Sequence, residues 1–285
     1  MIIGIEAARA NKTIKTGVEW YAWQVIQELK KLTAEDKNSW LLYTNKVLES
    51  GLEMLPPNWH EVRAGWPLKY GWTQFRLSWE LWRRPADVLF LPGSTLPRYF
   101  PAQTVVTVHD VGFHRYPQLY KSRQVHIHEF AMKEIAKRVP KILTVSEFSR
   151  REISEAYGID AARITVTPNG VNHNMYRPLA DSTLLENTLR RLRLAKPFFI
   201  CIGRLEAKKN ILTLLRAFEG FKSRHGVGDP HKLVLVGAPG YGYEEIRQAI
   251  KNSKYAADIF ELGYVAELDL PALLSSSSST SSVVM

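Results

Sequence analysis

The sequence predicts an α/β protein made of two doubly wound, Rossmann-like domains. Short β-branched and apolar runs alternate with segments of helical periodicity along nearly the whole chain. Several of these runs are apolar on both faces, as strands of a covered parallel sheet are. The pattern breaks near Tyr176-Arg177-Pro178 and then restarts. With 285 residues and 45% apolar content, the chain has ample material for two cores, which excludes disorder as its dominant state.

The run IIGIE (2–6) opens the first domain as a strand. Val18, Tyr21, Ala22, Val25, Leu29 and Leu32 follow at helical spacing. The runs WLLYTN (40–45), DVLFLPG (87–93), TVVTVHD (104–110), KILTVSE (141–147) and ITVTPN (164–169) bring the strand count to about six, a complete domain over residues 1–178. A helix over 182–194 starts the second region. FFICIGR (198–204), KLVLVGA (232–238) and DIFELGYV (258–265) supply its strands, and Ile211, Leu214, Leu215 and Phe218 mark a helix after the first of them. Three strands make only a partial domain over 179–274. The final SSSSSTSSVVM (275–285) is low complexity, with two readings open: a disordered tail, or a reading frame interrupted after about Leu274.

Composition narrows the function classes. The chain has 38 basic and 28 acidic residues, a net charge of +10, with most of the excess before residue 178. Such a balance favours phosphate-bearing partners. Neither a helix-turn-helix, a zinc finger nor an RNA-binding motif is present, so no nucleic-acid partner is expected. No apolar run reaches eighteen residues, and the first ten residues read as a strand and its turn, not as a signal peptide. The single cysteine, Cys201, lies within an apolar strand and reads as a buried residue in a protein of a reducing compartment. A cytoplasmic location is expected. His126 and His128 stand two apart and point to different faces of a helix, and no cluster has metal-ligand spacing, so no metal is expected.

The strongest local signal is ICIGRLEAKKNILTLLRAF (200–218). A buried strand ends at Gly203, a loop carries Arg204, Lys208 and Lys209, and Asn210 is placed to cap the next helix. Strand end, cationic loop and helix N-terminus together suit an anion, because arginine matches two phosphate oxygens while the helix dipole is positive there.

GRLEAKKN followed by an apolar helix resembles the G-R-x-x-x-x-K-N segment of family-four retaining glycosyltransferases of GT-B fold. IGIEAARA with KTGVEWY, VTVHDVGFHRYP, LTVSEFSRREI, VTPNGVN, LVLVGAPGYG and LGYVAELDLPALL resemble further segments of that family, in order, from residue 1 to about 274. The resemblance implies an N-terminal acceptor-side domain and a partial C-terminal nucleotide-sugar-binding domain. It implies transfer of a sugar, mannose by the nearest relatives, from a nucleotide-diphosphate sugar to a glycan or lipid-linked acceptor, without a cofactor or metal.

By the same resemblance, Arg204 and Lys209 bind the donor diphosphate and stabilise charge on the departing nucleotide. His109 faces the cleft, and Asp110 either orients its ring or caps the following turn. Gly17 lets the N-terminal loop approach phosphate or acceptor. Asn169 stands at the cleft, while Gly237, Gly263, Tyr264 and Val265 lie near the base. Relatives also carry two glutamates eight positions apart beyond the LPALL-like helix. This chain has only a serine-rich stretch there, so impaired or absent turnover is expected, with a non-catalytic fragment that binds nucleotide or phosphoglycan weakly as the alternative. Uncovered sheet edge in the partial domain makes self-association an expectation too.

A second feature is PLKYGWTQFRLSWELWRRP (67–85). Trp72, Phe75, Trp79 and Trp82 share one face of a helix, with Lys69, Arg76, Arg83 and Arg84 around them. Two readings stand: packing on the sheet as core, or peripheral contact with the inner face of a membrane. The basic helix 123–141 likewise reads either as a solvated face or as a surface for an acidic partner.

Overall fold

The computed structural model describes residues 1–68, 70–226 and 228–281. Contacts divide the chain into two compact units, one of residues 1–117 and 122–169, the other of residues 118–121 and 170 onward. This division falls a little before the Tyr176-Arg177-Pro178 boundary read from the sequence.

The first unit runs β1 (Ile2–Glu6), α1 (Gly17–Thr33), β2 (Ser39–Thr44), β3 (Trp59–Arg63), a π-helical turn (Trp72–Leu77) leading into α2 (Ser78–Arg83), β4 (Val88–Leu91), β5 (Thr104–Thr107), α3 (Gly112–Arg115), α4 (Ser122–Arg138), β6 (Lys141–Thr144), α5 (Glu147–Tyr157) and β7 (Ile164–Val166). Its sheet is wholly parallel, in the order β3-β2-β1-β4-β5-β6-β7. The strand β3 was not expected. Only Trp59 and Val62 of its five residues are buried, as suits an edge strand. The Trp59 ring stacks on Trp40 of β2, with centroids 4.9 Å apart, and so closes that side of the core.

Ile5, Leu42, Phe90, Ala22 and Ile26 join those tryptophans in one cluster. On α1 the buried stripe is Glu19, Ala22, Ile26 and Lys30, not the full apolar set expected, and Leu32 is exposed. Lys30 explains part of that shift. Its ammonium donates to the Leu52 and Met54 carbonyls at 2.7 and 3.0 Å, so a cation occupies a position where periodicity favours an apolar residue. Desolvation by burial pulls its pKa down to about 8.

The second unit contains α6 (Ser182–Arg191), β8 (Phe198–Ile202), α7 (Ile211–His225), β9 (Lys232–Val236), α8 (Tyr243–Asn252), β10 (Ile259–Gly263), α9 (Leu270–Ser276) and β11 (Ser279–Ser281). The sheet is parallel in the order β10-β9-β8-β11. Here the serine-rich stretch departs from expectation. Its first residues complete α9, and Ser279–Ser281 pair along Phe199–Cys201 of β8 as a fourth strand. A ladder uses backbone N–H and C=O groups, which serine supplies as well as any residue. The edge of β8 expected to lie open is thus paired. The last four residues of the stretch, like Lys69, lie outside the described residues.

On α7, Ile211, Leu215 and Phe218 are buried, as their spacing predicts. The same helix also buries Lys222, which is 1% exposed. Its ammonium donates to the Asp229 and His231 carbonyls and lies 2.9 Å from the Asp258 carboxylate, while Lys232 pairs with that carboxylate as well. A buried ion cluster therefore ties α7 to the ends of β9 and β10.

Candidate functional site

In an open parallel sheet, ligands bind beyond the carboxyl ends of the strands where the order reverses. In the first unit the chain leaves β1 toward β2 on one side, while β4 flanks β1 on the other. The residues at and just past the carboxyl ends of β1, β4 and β5 therefore define the crevice: Glu6 and Arg9, then Gly93 and Thr95, then His109.

Arg9 lies across Gly93, where an added Cβ would come within 2.7 Å of its Nε. Only glycine leaves room for the guanidinium there. Arg9 Nη2 donates to Thr95 Oγ1 at 3.0 Å, and the Arg9 backbone N–H donates to Glu6 Oε1 at 3.0 Å. Burial pushes the Glu6 carboxyl above the usual carboxylate range, against the opposing pull of Arg9. The His109 ring meets Tyr21 edge-on, centroids 4.6 Å apart, and the Tyr21 hydroxyl lies 3.2 Å from Thr107 Oγ1. Arg9 Nε and His109 Nε2 are both buried without a hydrogen-bond partner. Two orphan polar atoms at a switch point are what a ligand's hydroxyl or phosphate oxygens would satisfy.

Desolvation lowers the His109 pKa, with Arg9 pulling the same way and the Pro92 carbonyl and Asp110 resisting. The ring is therefore held neutral. With the Pro92 carbonyl beside one nitrogen, Nε2 is presented as an acceptor. Asp110 resolves toward the turn: its Oδ1 accepts from the Gly112 N–H at 3.0 Å. A pH dependence results. As pH falls below about 6.5 the unfolded chain takes up a proton that folded His109 refuses, so unfolding becomes easier. Urea midpoints of the wild type relative to His109→Gln should then fall between about pH 7 and pH 5. A constant difference would show that His109 is not held neutral.

In the second unit the loops after β8, β9 and β10 are joined through their backbones. Gly203 N donates to Val236 O at 2.9 Å, Leu205 N to Ala238 O at 3.0 Å, Gly240 N to Leu205 O at 2.8 Å and Gly237 N to Gly263 O at 2.7 Å. Gly237 has φ +148°, and a Cβ there would sit 1.9 Å from the Gly203 carbonyl oxygen. Any side chain at 237 forces the β8 and β9 loops apart.

On this floor stand Arg204, exposed with Nε 3.4 Å from the Pro239 carbonyl, and Lys209, half-buried beside Cys201. Burial raises the Cys201 thiol pKa and Lys209 opposes the rise, which fits a structural thiol. Lys208 is partly engaged by Glu206 at 3.4 Å. Asn210 occupies the N-cap position of α7 but does not cap the backbone. It adopts a left-handed conformation, and its Oδ1 accepts from Thr213 Oγ1 at 2.7 Å. The first turn of α7 is left without a side-chain cap, next to two cations. That arrangement suits a diphosphate.

The structure thus gathers Arg204, Lys209, Gly237, Gly263 and the exposed Tyr264 at one sheet edge. Val265 is buried in the core with Leu189, Leu194 and Leu273, so its side chain is turned away from any ligand. Gly17 begins α1 with open space around it, and Asn169 is exposed after β7. Sequence reading missed Glu6, Arg9, Gly93 and Thr95, whose only signal was their position just past apolar strands. Among the described residues no group of three or more His, Cys, Asp or Glu side chains could hold a metal ion, and no helix is long and apolar enough to cross a membrane.

Two parallel Rossmann-like units with polar groups gathered at their carboxyl edges have the architecture of the GT-B class of glycosyltransferases. A family model described as "Glycosyltransferase Family 4" matches residues 16–175, more than half of the chain, and one described as "Glycosyl transferases group 1" matches residues 190–282. The chain belongs to this glycosyltransferase family.

It is 29% identical over 199 residues to O-antigen chain mannosyltransferase B of Escherichia coli, a match covering 70% of this chain and 51% of that protein. The chain therefore spans about half the length of the curated relative it matches. The fold is similar to that of HepE from Anabaena in complex with UDP-glucose, with TM-score 0.66, 17% identity and coverage of 98% of this chain and 72% of that one. Sucrose-phosphate synthase from Thermosynechococcus elongatus is similar as well, with TM-score 0.69, 17% identity and coverage of 98% and 74%.

Proposed function

We propose that this chain transfers a sugar from a nucleotide-diphosphate sugar to a glycan or lipid-linked acceptor, with retention at the anomeric carbon. The observation that carries the reading is the cationic β8–α7 loop. Arg204 and Lys209 stand beside an uncapped helix N-terminus on a floor of interlocked glycine loops. Negative charge grows on the leaving nucleotide as the glycosidic bond breaks, and fixed cations with aligned N–H groups stabilise that charge without reorganising. These groups carry out the leaving-group role without a metal. In the first unit, the neutral His109 accepts from a sugar hydroxyl while Arg9 offers its free N–H to an acceptor oxygen. Mannose is the sugar suggested by the likeness to mannosyltransferase B, and a guanosine nucleotide is the carrier proposed for it, while the nucleotide bound by HepE makes UDP the competing choice.

Calorimetric titration with GDP, UDP and their sugar conjugates, with and without EDTA, tests this reading. Saturable binding of one nucleotide, unchanged by EDTA, is expected, followed by transfer to an acceptor in a coupled nucleotide-release assay. Binding without transfer would leave the chain a nucleotide-binding role alone. Absence of binding to every nucleotide would overturn the proposal.

A further inference from the structure

The aromatic segment expected to form one helix face is divided by the structure. Trp72 is 7% exposed, and its indole donates to the Ala64 carbonyl at 2.6 Å, so it belongs to the core. The wider π-helical turn that begins there shifts the register of α2 after it. Phe75, Trp79 and Trp82 come out 51%, 47% and 67% exposed, with Leu68, Tyr70 and Tyr99 also open to solvent.

Arginines lie over these rings. Arg76 and Arg83 stand 4.7 and 5.4 Å from the Trp79 ring, and Arg98 is 5.0 Å from that of Phe75. The same surface continues onto α4. Arg123 reaches the Tyr70 ring at 5.8 Å, and Arg138 donates to the Arg98 carbonyl at 2.9 Å. Residues 123, 127, 130, 134 and 138 share one side of that helix. Ile127 and Phe130 therefore lie between Arg123, which reaches Tyr70, and Arg138, which reaches Arg98 and the Phe100 ring, and Phe130 is 70% exposed. Met132 and Ile135, on the opposite side, are the residues α4 buries.

We propose that this face of the first unit seats an anionic lipid bilayer. Its chemistry is amphipathic throughout: tryptophan, tyrosine and phenylalanine present apolar bodies, and arginines frame them with charge that can stay at headgroup level. Among the described residues, these arginines form ion pairs with two carboxylates: the buried Glu80, shared by Arg76 and Arg84, and Glu134, which pairs with Arg138, while Arg83, Arg98 and Arg123 form none. The surplus positive charge complements phosphate headgroups. A second copy is a poor occupant, because a twofold contact places identical arginines opposite one another. Bilayer binding depends on this surface alone, not on the transferase reading.

Vesicle co-sedimentation of the full chain, without nucleotide, tests it. Vesicles of phosphatidylcholine with about one third phosphatidylglycerol should bind the chain at least about tenfold better than phosphatidylcholine alone, and high salt should weaken that binding several-fold. A Trp79→Ser, Trp82→Ser, Phe130→Ser variant should lose about tenfold in partitioning, and an Arg83→Glu, Arg123→Glu variant a similar amount. Both should keep the wild-type unfolding midpoint and nucleotide affinity. The charge-reversal variant serves if the serine variant fails to fold. Equal sedimentation of wild type and variants, or none with either vesicle, would overturn the proposal. So would a stable dimer that the serine substitutions dissociate, since the occupant would then be another copy.

Discussion

Lys222→Ala is expected to destabilise the second unit by about 2–3 kcal/mol, because it strips a buried cation from carboxylates that are themselves partly open to solvent. Lys222 is 1% exposed and lies 2.9 Å from Asp258 and 3.7 Å from Asp229. Without it the two carboxylates and two carbonyls lose their shared donor, and the carbonyls beside the buried lysine lose it where water reaches least. Urea unfolding followed by circular dichroism reads the loss, and limited proteolysis locates it to the segments around Asp229 and Asp258. Pairing Lys222→Met with Asp258→Asn should recover part of the stability, since replacing both charges removes most of the imbalance.

The cluster also sets a pH window. Desolvation pushes the Asp258 carboxyl up, but hydrogen bonds from Lys232 and Lys222 outweigh it and hold the pKa below the ordinary 3.8. Asp229 is lowered in the same way, against burial, by His231 and Lys222. For a depressed carboxyl the stabilisation is present above its unfolded pKa and disappears as pH falls through the folded one. The wild type should therefore lose stability below about pH 4 more steeply than the Lys222→Met, Asp258→Asn pair. A single-substitution cost under about 1 kcal/mol would mean that water already solvates the cluster.

The sheet strands were legible because parallel strands covered on both faces need continuous apolar runs. Nine such runs correspond to β1, β2 and β4–β10. The two strands that escaped notice lack that signature. In β3 only Trp59 and Val62 turn inward, and β11 is built of serine and threonine, which carry no apolar pattern. Misplaced helix faces have equally local causes. Lys30 and Glu19 occupy buried positions on α1 because each finds internal partners: Lys30 the carbonyls of Leu52 and Met54, Glu19 the groups of Lys12 and Thr16. Hydrogen bonds from Lys12 and Thr16 overcome desolvation and bring the Glu19 pKa down to about 2.

The cationic loop between β8 and α7 was readable since its parts are contiguous in sequence: strand, Arg204, Lys209, helix. The crevice of the first unit was only half readable. His109 follows a strand and stands out, whereas Arg9 gains meaning only when parallel pairing sets β1 beside β4 and lays its guanidinium over Gly93.

Arg204→Ala should weaken binding of the nucleotide diphosphate and, where transfer is measured, lower kcat by about a hundredfold to a thousandfold. The groups left after truncation make this a clean test. Gly203, Gly237 and Gly263 keep the floor intact, since their contacts are backbone to backbone, so the variant should fold normally. Arg204 is exposed and makes one long contact, to the Pro239 carbonyl at 3.4 Å. Losing that contact costs the fold little, which makes any effect on nucleotide a direct one. Lys209→Ala should weaken binding less, because a single ammonium offers no bidentate match. Arg204→Lys should restore charge but not geometry, recovering only part of the affinity. Calorimetry at two salt concentrations separates these contributions. Charge without fit is screened by salt, while the bidentate share persists. If Arg204→Lys binds as tightly as the wild type, the loop acts as a general cationic patch and the diphosphate lies elsewhere. If Arg204→Ala binds as tightly too, the α7 N-terminus carries the anion without it, and the transferase reading loses the residue on which its leaving-group chemistry depends.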